Sequence, residues 1–120
     1  MTRIASMMTC EKWDIVLVPF PFTNLRSIKK RPALIISPNQ YNSGPDFVIQ
    51  FITSNIKSYG RTGDTIIQKW KESGLPKPSM IRMKFATIEK SIIIKRIGRV
   101  TPIDQNTIHN KLYTFFSLDE

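Results

Sequence analysis

Apolar residues in this chain gather in short β-branched and aromatic runs, and a helical repeat emerges only near the C-terminal end. The run 13–20 ends between Pro19 and Pro21, neither of which can donate to a sheet ladder. Alternation places Asp14, Val16, Val18 and Phe20 on one face and Trp13, Ile15, Leu17 and Pro19 on the other. Both faces are largely apolar, the pattern of a strand in a small closed β-barrel. A second strand is expected over 33–37, and the polar stretch 22–30 before it reads as a cationic loop able to reach over a ligand. Pro32 biases Arg31 toward an extended backbone, so Arg31 is expected at a fixed place where loop meets strand.

The remaining pattern continues the β-rich reading. Residues 38–46 are dense in turn formers. In the strand expected over 47–54, Phe47, Ile49, Phe51 and Thr53 share one face, with Val48, Gln50, Ile52 and Ser54 on the other. Residues 55–63 form a second basic loop, 64–68 a short strand, and 69–73 one helical turn stopped by Gly74. In the strand expected over 79–85, Met80, Arg82 and Lys84 alternate with Ile81, Met83 and Phe85, so one side packs while the other presents charge. Residues 91–100 read as a strand that opens on a buried isoleucine triplet and ends in Lys95, Arg96 and Arg99. Thr101 then resembles a helix N-cap, with Pro102 at the first helical position and Asp104 as a capping-box carboxylate. The helix is expected to reach Ser117, with Ile108, Leu112, Phe115 and Phe116 on one stripe lying on the barrel or on a partner subunit.

Length limits this fold to one domain over 12–120, with 1–11 as a loose extension or one weak strand. The charge adds a partner to that picture. Eighteen Lys and Arg against nine Asp and Glu give +9 and a pI near 10.0, which argues for a polyanion. Cys10 stands alone, no paired metal-ligand spacing occurs, and no run approaches a signal peptide or a membrane span. These features suit a cytoplasmic protein without a metal or cofactor.

The string WDIVLVPFPFT, followed after a polar loop by KKRPALIISP, resembles the opening of the MazF/PemK family of toxins from type II toxin-antitoxin systems. FITSN at 51–55, KWKESGLPKPSMIR at 69–82 and TIEKSIIIKRIGRVTP at 87–102 resemble the PemK-like branch in order and spacing. The resemblance implies a mainly β (α+β) fold, an SH3-like small β-barrel with a C-terminal helix, and a homodimer. It also implies a metal-independent endoribonuclease that cleaves single-stranded RNA, an mRNA interferase, held in check by a cognate acidic antitoxin. A non-catalytic binding module of the same fold, or a topoisomerase poison like the related CcdB toxins, is the alternative.

By position in the family motif, Arg31 matches the active-site arginine and Thr53 the threonine at the end of the following central strand. The resemblance thus makes Arg31 and Thr53 the catalytic pair, binding the non-bridging oxygens of the scissile phosphate. Ser27, Lys29, Lys30, Ser54, Tyr59, Arg61, Arg82 and Lys84 are the candidate RNA-binding residues, with Tyr59 or Phe22 as a stacking surface. Some family members carry a glutamate in the loop before Arg-Pro. Here that loop, NLRSIKK, has no carboxylate, which leaves the general base unassigned. His109 reads as a partly solvated helix residue, and Asp14 as a carboxylate that orders the backbone around it. The family glycine before that aspartate is replaced here by Trp13.

Overall fold

The computed structural model describes residues 9–20 and 29–117. β1 (Asp14–Phe20) has the expected alternation, and both its faces pack. It pairs antiparallel with β2 (Lys29–Ile35), with Ile15 opposite Leu34 and Phe20 opposite Lys29. β2 therefore begins at Lys29 rather than at the expected Ala33. The exposed Lys29, Lys30 and Arg31 extend the ladder with β1, which needs their backbone and not their side chains.

One helical turn, α1 (Asn39–Asn42), lies within the 38–46 connection, fastened where Asn42 Nδ2 donates to the Ser37 carbonyl at 2.9 Å. β3 (Asp46–Thr53), β4 (Thr65–Ile66), β5 (Met80–Glu89) and β6 (Lys95–Arg99) complete a six-stranded antiparallel sheet of order β4-β5-β3-β2-β1-β6. It is the expected mainly β fold, curled into a half-barrel whose edges, β4 and β6, do not meet.

Four further sequence expectations change. β4 occupies only part of 64–68, while β5 runs past Phe85 to Glu89. β6 occupies only the second half of 91–100. Lys90–Ile92 forms a 3₁₀ turn that buries Ile93, while Ile94 stays exposed with its N–H bonded to the Leu17 carbonyl at 2.8 Å. Asp104 does not serve as a cap for its own helix. Its two oxygens accept the N–H groups of Gln68 (3.0 Å) and Lys69 (2.8 Å), donors that no ladder satisfies, and a buried carboxylate bonds them strongly.

Alternation sorts the core into two layers. Val16, Val18, Ala33, Ile35 and Ile49 pack on one face with Cys10, Phe47, Ile88 and Ile93. Ile15, Leu34, Ile52, Ile67, Ile81 and Val100 pack on the other, under helix α2 (Pro102–Phe115) through Ile108 and Leu112. Each fully buried Ile or Leu stabilises the fold by about 1.5–3 kcal/mol. The helical stripe is only half used for packing, since Phe115 and Phe116 remain 41% and 59% exposed. Residues 69–74 form the expected helical turn, ended by Gly74 at φ 92°, and the Leu75 N–H bonds back to the Trp70 carbonyl. This turn lies against β6 at Gly98, where any Cβ would collide with the Ser73 carbonyl, so glycine is what lets the turn cover the sheet edge.

Candidate active site

The cleft begins where a ladder stops. β1 and β2 stay paired as far as Lys29, but β2 pairs with β3 only from Ala33 to Ile35, opposite Phe51 to Ile49. Pro32 has no N–H with which to continue. Beyond it the strands part, leaving a cavity of about 340 Å³ lined by Val18, Phe20, Arg31, Pro32, Phe51, Ile52, Thr53, Asn55, Arg82 and Lys84.

On the β2 wall, Arg31 is exposed, with its guanidinium carbon 5.7 Å from the centre of the Phe20 ring. Phe20 in turn meets Phe51 edge-on at 5.4 Å. Arg31 lines the cavity, and among the described residues no carboxylate pairs with it. Across from it, the half-buried Thr53 accepts the Asn55 N–H at 3.1 Å, which orients its oxygen and leaves the hydroxyl proton for a ligand.

The β5 wall is shaped by an irregular register. Gln50 faces Phe85 and Ile52 faces Ile81, so the 82–84 stretch of β5 bulges out of its pairing with β3. The fully buried Gln50 side chain stitches the bulge, its Nε2 donating to the Arg82 carbonyl at 3.2 Å and contacting Met83 Sδ at 3.4 Å. Both Arg82 and Lys84 line the cavity as a result.

Arg82, however, is engaged. Its Nε and Nη2 donate to the two oxygens of Asp64 at 3.0 and 2.8 Å, and Nη2 also donates to the Ser58 carbonyl at 2.8 Å. Asp64 Oδ2 further accepts the N–H groups of Gly60 and Arg61, at 3.0 and 2.9 Å. The Arg82 bonds, assisted by these two N–H groups against the cost of burial, hold the Asp64 carboxyl down at about 2. Reciprocally, the Asp64 bond pushes the Arg82 guanidinium up.

The structure brings Arg31, Thr53, Arg82 and Lys84 to one cleft. Lys29 and Lys30 are exposed at the same end of β2, Ser54 follows Thr53, and Tyr59 and Arg61 are exposed on the loop before Asp64. Ser27 and Phe22 lie outside the described residues. Asn55, Gln50 and Asp64 were missed by sequence reasoning. For Asp64, the available signal was a lone acid after a glycine in an otherwise basic loop.

Asp14 and Trp13 lie at another corner. Asp14 is buried, accepts hydrogen bonds from the Glu11 N–H (2.7 Å) and Arg99 (2.9 Å), and forms an ion pair with Arg96 (3.2 Å), tying β1 to β6. Trp13 keeps a glycine-like φ of 80°, held by a bond from its N–H to the Ile35 carbonyl and one to its carbonyl from the Val100 N–H. Nearby, burial and then the Asp14 charge push the Cys10 thiol up to about 11. His109 is exposed on α2. Among the described residues no group of three His, Cys, Asp or Glu side chains converges to hold a metal, and no helix is long and apolar enough to cross a membrane.

A family model described as "PemK-like, MazF-like toxin of type II toxin-antitoxin system" matches residues 11–116. The chain belongs to this toxin family. Solved structures agree with the toxin fold. An endoribonuclease in complex with its cognate antitoxin from a mycobacterial species superposes with a TM-score of 0.75 at 18% identity, covering 93% of this chain and 99% of that one. The Mycobacterium tuberculosis toxin MazF-mt6 gives 0.70 at 18% identity, covering 89% and 99%. MazF from Deinococcus radiodurans gives 0.68 at 16% identity, covering 90% and 96%. At such identities the likeness is one of fold. A comparison with curated proteins found no significant match.

Proposed function

We propose that this PemK-like toxin is an endoribonuclease that cuts single-stranded RNA at short sequences without a metal. The observation that carries the reading is the convergence of Arg31 and Thr53, from two strands that part beyond Pro32, in a cleft of about 340 Å³. A 2′-hydroxyl attacks the adjacent phosphorus, the bond to the 5′-oxygen breaks, and the products are a cyclic phosphate and a 5′-hydroxyl end. Negative charge grows on the non-bridging oxygens as the phosphorane forms. Arg31 meets it with its planar fork and Thr53 with a hydroxyl hydrogen bond, interactions that strengthen in the transition state.

Lys84 adds a flexible charge to the β5 wall, and Lys29, Lys30, Arg61 and Ser54 track the backbone on either side. None of the described cavity-lining residues is a carboxylate or an imidazole. The cleft is thus built to bind and stabilise charge rather than to hold a resting base. That same observation favours a second reading, in which the protein binds RNA without cutting it.

The antitoxin in this reading is an acidic, partly disordered chain drawn to the net charge of +9, and the toxin acts in the cytoplasm as a homodimer. The test is incubation of the protein and an Arg31→Ala variant with a long single-stranded RNA in EDTA. Discrete fragments with 5′-hydroxyl ends from the wild type alone support the nuclease; intact RNA that is still bound at low salt supports the binder.

A further inference from the structure

Asp64 and Arg82 do more than neutralise each other. Between them they grip the backbone on both sides of a single residue, Tyr59. Arg82 Nη2 holds the Ser58 carbonyl, and Asp64 Oδ2 holds the Gly60 and Arg61 N–H groups. The pair itself is bidentate and enclosed, its side chains only 12% and 1% exposed. A surface ion pair gains little, but this one is fixed by its two-pronged geometry and by three backbone bonds. The Arg61 carbonyl also accepts the Asp64 N–H, closing the loop into a turn. Tyr59 itself caps the 3₁₀ turn Ile56–Ser58, its N–H bonded to the Ile56 carbonyl at 3.2 Å, and is 53% exposed.

An aromatic ring presented to water costs favourable burial, and a rigid support beneath it makes sense where the ring meets another flat group. The loop leaves β3 through Asn55 and is anchored to β5 at Arg82, both of which line the cleft. We propose that Tyr59 is a stacking platform for an RNA base flanking the scissile phosphate, and that the Asp64–Arg82 clamp is the positioning device that holds it there. Arg82 thus acts through the loop and not as a phosphate contact. This rests on the nuclease reading for the identity of the ligand, while the mechanical part stands on the loop alone.

The test uses the full chain and its Asp64→Asn, Tyr59→Leu, Tyr59→Phe and combined Asp64→Asn/Tyr59→Leu variants. Amide hydrogen exchange without RNA should speed up over residues 58–62 in Asp64→Asn and stay unchanged in Tyr59→Phe. Binding to a mixed-sequence 2′-O-methyl RNA, which lacks the nucleophile, should weaken roughly 10- to 100-fold in Tyr59→Leu, the size of one lost stack. Tyr59→Phe should restore it, and the double variant should bind no worse than Tyr59→Leu, since a clamp that acts through Tyr59 has nothing left to position. In cleavage of unmodified RNA the same losses should appear in KM more than in kcat. Unchanged exchange in Asp64→Asn, additive losses in the double variant, or full binding by Tyr59→Leu would each overturn the proposal. A wild type that binds but does not cut defeats the nuclease reading and leaves this cycle to be decided by binding; a wild type that binds no RNA defeats both.

Discussion

The two walls of the cleft each offer an arginine, and the chain uses them in opposite ways. On the β2 wall Arg31 lies over Phe20 with no carboxylate among the described residues paired to it. On the β5 wall Arg82 spends its fork on Asp64 and the Ser58 carbonyl. Residue type and cavity lining are the same for both. A guanidinium with free donors can meet a phosphate, whereas one already bidentate to a buried acid must break that pair first. The difference lies in the neighbours: on one wall the arginine has no carboxylate partner among the described residues, and on the other it is tied to Asp64 and the loop.

The largest effect should fall on the free arginine. Arg31→Ala should lower the RNA cleavage rate by about 100- to 1,000-fold, as expected for loss of one donor to the developing charge. Circular dichroism and the melting temperature should remain near wild type, because Arg31 is exposed. Equal loss of cleavage in Arg31→Ala and Arg82→Ala, both folded, would erase the contrast between the walls.

The paired wall should announce itself in acid. Asp64 has a folded pKa of about 2, below the ordinary carboxylate value near 3.8. Its contribution to stability is therefore complete above about pH 4 and disappears as the pH falls toward 2. Chemical denaturation of the wild type across that window should show a steeper loss than Asp64→Asn. Parallel profiles would mean that the pair does not hold the loop in solution.

Lys84 separates charge from clamp on the same wall. It lines the cleft and is exposed, so Lys84→Gln should reduce the slope of log affinity against log salt by about 0.7, the value for one phosphate contact on a single strand. An unchanged slope would remove Lys84 from the RNA path. The smallest effect belongs to a corner away from both walls. Trp13 holds a φ of 80°, a region that costs a residue with a side chain about 1–2 kcal/mol and costs glycine almost nothing. Trp13→Gly should thus unfold at higher denaturant than Trp13→Ala by an amount worth about 1 kcal/mol, with RNA cleavage alike in the two.

Much of this arrangement was readable in the chain. The alternation in 13–20 gave β1 its two buried faces, Arg31 before Pro32 marked the edge of the cleft, and Gly74 ended its turn as expected. The MazF/PemK resemblance named the family that the match over 11–116 bears out. Asp104 shows where local reading failed. A carboxylate two positions after Pro102 has the form of a cap, yet two unsatisfied N–H groups more than thirty residues upstream took it instead. The exposed Phe115 and Phe116 show the same limit, since spacing defines a stripe but not how far the sheet beneath it extends.

What the sequence by itself determined were the quantities set by near neighbours and totals: strand periodicity, the extended backbone at Arg31, the charge of +9 and the family motif. What only the tertiary structure decided was which charges have a partner among the described residues. Arg31 and Arg82 look alike along the chain. Asp64 lies eighteen residues before Arg82 and reaches it only because β4 pairs with β5, so the pairing of strands, rather than the order of residues, separates the arginine bound to a carboxylate from the one with no such partner among the described residues.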